Sequence, residues 1–154
     1  MRAVLIGVFV LWACVAQAEM GPRDGWVVLP TGKAFDVLVA DVKRAVKAGK
    51  MGVVTQAGPT GAAKARGIEI PGNRVIGVFN NRYAVRILEL STAAMIEAPI
   101  RLYVTEEEGG AVLSYKTPSL VFAPYMEEAG PELGVAAAEL DAIFQTIAQD
   151  AATR

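Results

Sequence analysis

The residues of this chain that can do chemistry are few in kind. Histidine is absent, and the single cysteine is Cys14. Zinc and most transition-metal sites draw on those two residues. Ser-His-Asp and Cys-His catalysis need an imidazole base. Those classes are excluded for a chain acting alone once Cys14 is set aside, and the sequence calls for no metal and no cofactor. Carboxylate, Tyr, Lys or Ser–Lys chemistry is left, or binding without chemistry.

The most suggestive grouping is Asn80-Asn81-Arg82, with Arg74 and Arg86 in the same stretch and Tyr115 further on. Asn side chains, free amides at a helix start and guanidinium forks together suit a carboxylate or a phosphate. The plainer reading of the same residues is a helix cap with surface arginines. Other groupings are weaker. Glu106-Glu107-Glu108 is a dense run of hard oxygen donors, but calcium loops space their ligands at alternate positions. It reads as a solvated hairpin tip. Ser114 and Lys116 share a strand face, yet a Ser–Lys pair needs a desolvated lysine, and nothing in the sequence buries Lys116. Gly58-Pro59-Thr60-Gly61 lacks the spacing of a phosphate loop. It reads as a turn.

These residues must be positioned by elements that the hydrophobic pattern outlines. Trp26 to Leu29 reads as a strand stopped by Pro30, with Thr31 as a cap for the helix that follows. Phe35, Leu38, Val42 and Ala45 or Val46 recur at helical spacing, with Lys43, Arg44 and Lys47 on the solvated side. The pattern predicts a helix over 34–48, with Gly49 in the left-handed position after it. Met51 to Gln56 and Arg74 to Phe79 read as strands, with a short Ala-rich helix between them. Asn80-Asn81 caps a helix from Arg82 to about Leu90. Period-two alternation through Ile100–Thr105 and Ala111–Lys116, joined by Gly109-Gly110, predicts a hairpin. Pro118 and Pro124 punctuate an irregular or short helical stretch. A last helix starts near Pro131 to Val135 and runs to about Ala151, with Val135 or Ala136, Leu140, Ile143, Phe144 and Ile147 as its stripe. Strands interleaved with helices and ending in a hairpin predict an α+β fold: one domain, a mostly antiparallel sheet with helices packed on it.

The N-terminus reads as a secretory signal peptide over 1–18: Met1-Arg2, an apolar run from Ala3 to Val15, then Ala16-Gln17-Ala18. Cleavage is expected between Ala18 and Glu19, giving a periplasmic or secreted protein. The alternative is a lipoprotein anchored through Cys14, since Leu11-Trp12-Ala13-Cys14 loosely resembles a lipobox. The run is shorter than the roughly 20 residues that span a bilayer, so no membrane span is expected. Residues 19–25 form a short lead-in, and 26–151 form the domain. Removing the leader leaves 136 residues, enough for a core without disulfides.

Charge is unevenly placed. Residues 33–101 carry 11 basic and 5 acidic side chains, and residues 102–154 carry 2 basic and 9 acidic. Halves of opposite sign can neutralise each other within a fold or across a dimer. A nucleic-acid partner is not expected, because overall charge is −1. The basic half suits a small anion.

Several of these segments also resemble a known family in order and spacing. They are Ala34-Phe35-Asp36, Gly52-Val53-Val54-Thr55, Arg74-Val75-Ile76-Gly77-Val78-Phe79-Asn80 and Ala98-Pro99-Ile100-Arg101-Leu102-Tyr103-Val104. The family is DUF302, a domain of unknown function, and the resemblance spans roughly Trp26 to Ala151. It implies a compact α+β fold and a homodimer, and no established reaction. Where family members often carry Cys-Asn-Pro, this chain has Phe79-Asn80-Asn81, so a thiol-based role does not carry over. The functional expectation is an exported, non-enzymatic module that binds a small anionic ligand or an envelope protein. Trp26, Tyr103 and Tyr125 are possible aromatic anchors. The alternatives are a small carboxylate-, Tyr- or Lys-dependent enzyme and an assembly factor for an envelope complex.

Overall fold

The computed structural model of the chain describes residues 20–153. The leader, the cleavage site and Cys14 lie outside that range. Five strands form one antiparallel sheet: β1 Trp26–Pro30, β2 Gly52–Ala57, β3 Asn73–Phe79, β4 Ile100–Glu107 and β5 Gly110–Lys116, in the order β1-β5-β4-β3-β2. Six α-helices accompany it: α1 Phe35–Ala48, α2 Thr60–Ala65, α3 Asn81–Leu90, α4 Pro118–Phe122, α5 Met126–Ala129 and α6 Pro131–Thr153. Short 3-10 turns occupy Ala94–Glu97 and Ala123–Tyr125. This is the α+β architecture expected from the pattern.

Register decides which side chains meet. Leu102 pairs with Tyr115 and with Ile76, and Val104 pairs with Leu113. These side chains share one face of the sheet and are buried, as are Leu38, Val42 and Val46 of α1 and Leu140, Phe144 and Ile147 of α6. Period-two burial on β4 thus meets the helical stripes of α1 and α6. Across the start of α6, Ala136 is buried and Val135 is 48% exposed, which decides between the two expected stripe positions.

Two local expectations are corrected. Thr31 does not cap α1: the N-cap is Ala34, with no side-chain bond. Thr31 Oγ1 instead donates to the Ala111 carbonyl at 2.6 Å and ties the β1 exit to β5. Gly49 is not left-handed, with φ of −72°. The left-handed residue is Lys50, at φ 58°. Glycine is still suited to position 49, because a Cβ there would stand 2.9 Å from Cγ1 of Ile147 on α6.

Asp41 is the charged residue buried in this helical layer. Its carboxylate accepts from Lys33 Nζ at 2.6 Å and from Arg44. Lys33 also donates to the Ala151 carbonyl at 2.6 Å, so one ammonium joins α1 to the end of α6. The Lys33 hydrogen bond holds the Asp41 carboxyl below its usual range, against the opposing effect of burial.

Candidate functional site

The β3–α3 junction forms the wall of a broad cleft of about 930 Å³. Asn80 leaves the strand extended and caps α3, its Oδ1 accepting from the Arg82 amide at 2.9 Å. Its Nδ2 donates to the Lys50 carbonyl at 3.0 Å. One side chain therefore starts the helix and holds the α1–β2 loop across from it. That loop needs holding, because a left-handed backbone costs a non-glycine residue roughly 1–2 kcal/mol.

Asn81, Arg82 and Arg86 line the same cleft, as do Lys50, Met51 and Phe79. Glu139 and Ile143 enter from α6. Arg86 Nη1 donates to both oxygens of Glu139, at 3.1 and 3.0 Å, and the Tyr83 hydroxyl donates to Glu139 Oε2 at 3.1 Å. The hydrogen bond from Arg86, then that from Tyr83, holds the Glu139 carboxyl below its usual range. Burial first, then the Glu139 bond, raises the Tyr83 phenol above its own. Glu139 thus stays ionised and Tyr83 stays neutral across the physiological range. Arg82 has no ion pair among the described residues, and its side chain is exposed. The cleft therefore joins Lys50, Arg82 and a braced Arg86 to an apolar lining of Met51, Phe79 and Ile143.

Of the six residues singled out from sequence, Asn80, Asn81, Arg82 and Arg86 are brought together here. The other two lie elsewhere. Arg74 sits toward the opposite end of β3, paired with Val104, and its Nε is buried without a hydrogen-bond partner. Tyr115 is in the core, 2% exposed, with its ring 5.7 Å from Phe144. Burial, aided by the charge of Asp141, pushes its phenol up to about 12. Sequence reasoning did not find Lys50, Tyr83 or Glu139. Glu139 is 53 residues from Arg86, and no local pattern joins them. Lys50 had a signal: a lysine directly after Gly49 at a helix end.

The weaker groupings also resolve. Glu106 Oε2 accepts from the Gly72 amide at 2.7 Å, and Glu107 Oε1 accepts from Met20 and Thr105 at 3.1 and 3.0 Å. Two of the three hairpin glutamates thus tie loops down. Ser114 is fully buried with an unpartnered Oγ, whereas Lys116 is exposed over the Trp26 ring. They do not form a nucleophile–base pair. No group of three Asp, Glu, His or Cys among the described residues is arranged to hold a metal ion.

A family model described as a domain of unknown function, DUF302, matches residues 27–149. The crystal structure of an uncharacterized conserved DUF302 protein from Bacillus stearothermophilus has the same fold. Its TM-score is 0.74 at 16% identity, over 84% of this chain and 99% of that one. At that identity the likeness speaks for the fold alone. No curated protein matches the chain.

Proposed function

The chain belongs to the DUF302 family, and from that premise we propose that it is an exported, non-enzymatic module that binds a small organic anion in the β3–α3 cleft. The observation that carries this reading is the convergence of Lys50, Arg82 and Arg86 over an apolar lining in one cleft of about 930 Å³. That volume lies in the range of small-molecule sites, roughly 300–1,000 Å³. Lys50 strengthens the case. A strained lysine is held at the rim by an asparagine that also caps the facing helix, and backbone strain of this kind concentrates at functional sites.

The favoured ligand has a carboxylate or phosphate head and an apolar body. The head is matched by Arg82 and Lys50, and the body by Met51, Phe79 and Ile143. Binding is favoured over acid–base catalysis because the displaced groups move the wrong way. A general base or acid works best with a pKa near the operating pH, but Glu139 is shifted down and Tyr83 up, both away from neutrality.

Export to the periplasm and pairing as a homodimer are part of this proposal. Export rests on the leader pattern. Pairing is supported by Val85 and Leu88, 47% and 48% exposed and three residues apart on α3. The same surface would serve an envelope partner.

Calorimetric titration with octanoate and with inorganic phosphate tests the binding reading. Octanoate is expected to bind more tightly than phosphate, and Arg82→Ala to weaken octanoate about tenfold without moving the thermal midpoint. Equal affinity in wild type and Arg82→Ala would count against the cleft.

A further inference from the structure

A second concavity, of about 340 Å³, opens where β1, β3, β4 and β5 meet α4, with Ile100 and Tyr115 at its core side. Its walls are Trp26, Tyr103, Val75 and Val121, and its two cations are Arg101 and Lys116. Register fixes this grouping. Trp26 pairs with Lys116, Val75 pairs with Tyr103, and Tyr103 pairs with Ser114. The aromatic side chains therefore stand in adjacent rows on the side of the sheet away from Leu102, Val104 and Leu113. Asn73 Nδ2 donates to the Tyr103 hydroxyl and fixes that ring.

The charged side chains that line this groove are both cations, and one of them, Arg101, is paired with Glu97 behind it. Lys116 Nζ lies 5.6 Å from the Trp26 ring centroid, and the Arg23 guanidinium lies 5.5 Å from it. Arg101 faces the same space, with Glu97 3.7 Å from its guanidinium. No Asp or Glu lines the groove. Two aromatic walls make a slot suited to a flat ring, and cations at the rim suit an anionic substituent on that ring.

We propose that this groove is a second binding site, for a planar aromatic carboxylate, separate from the β3–α3 cleft. It shares no residue with the first site, so either can fail without the other. Trp26 is itself the reporter. The other tryptophan of the chain is Trp12, within the expected leader. The probe is 2-naphthoate, titrated into the exported protein while the Trp26 indole N–H resonance is followed, with Trp26→Phe to assign it. The expected result is a saturable displacement of that peak. Arg101→Gln/Lys116→Gln should weaken it about tenfold, as should replacing the probe by naphthalene-2-carboxamide. Arg82→Ala should leave it unchanged. A displacement that stays linear to ~10 mM would overturn the site, since such an affinity is too weak to mark a built pocket. So would equal binding of acid and amide, or an affinity untouched by the double variant.

Discussion

Lys50 adopts a backbone conformation that glycine would adopt at less cost. Lys50→Gly should therefore stabilise the protein by about 0.5–1 kcal/mol in urea unfolding, and should weaken anion binding because a cation leaves the cleft. A variant that loses stability would mean that the lysine side chain, not the cleft, accounts for its presence. Asp41 makes a contrasting case, since its role is structural. Its folded pKa is depressed by Lys33, so its stabilisation is fully present above the unfolded carboxyl value near 4. That stabilisation is lost as pH falls through the lower folded value. Asp41→Asn should cost about 2 kcal/mol at pH 7, because it leaves Lys33 without its countercharge. The cost should shrink toward pH 2, where the wild-type carboxyl is also neutral. An equal cost at both pH values would show that the ion pair is not its source.

At the scale of elements, Asn80 does two jobs that can be separated. Asn80→Asp keeps an acceptor for the Arg82 amide and removes the donor to Lys50. Hydrogen exchange should then quicken around the 49–52 loop and stay slow in the first turn of α3. Asn80→Ala should lose both and cost about 1–2 kcal/mol. Much of this element structure was legible in the sequence. The alternation of Ile100, Leu102 and Val104 gave β4, and Gly109-Gly110 gave the hairpin turn. Asn80 announced the start of α3, because its side chain satisfies a backbone amide next to it in sequence. What stayed hidden depends on distant neighbours. Thr31 has a cap's chemistry, but the Ala111 carbonyl 80 residues away wins its hydroxyl. Gly49 reads as left-handed until Ile147 is placed beside it. Arg74 and Tyr115 are kept from this cleft by strand register, which puts Arg74 opposite Val104, toward the other end of β3, and buries Tyr115 beside the second groove. Register is a property of the whole sheet, and one residue of slip changes the face.

Across the whole molecule, the split between a basic first half and an acidic second half has a spatial meaning. Arg86 comes from the basic stretch, and Glu139 and Glu132 from the acidic one; they meet between α3 and α6, at 3.0 and 4.0 Å. The halves thus partly neutralise each other within the fold, while Arg82 and Lys50 remain for an incoming anion. If export removes residues 1–18, N-terminal sequencing of protein from the envelope fraction should begin at Glu19. A lipid adduct on Cys14 would replace that reading. On the binding reading the β3–α3 cleft receives a small organic anion. An amide NMR titration of the protein with octanoate tests that reading. Saturable shifts are expected, confined to residues 49–52, 79–86 and 139–143 and weakened in Arg82→Ala. Shifts that avoid those three segments, or none at millimolar octanoate, would contradict it.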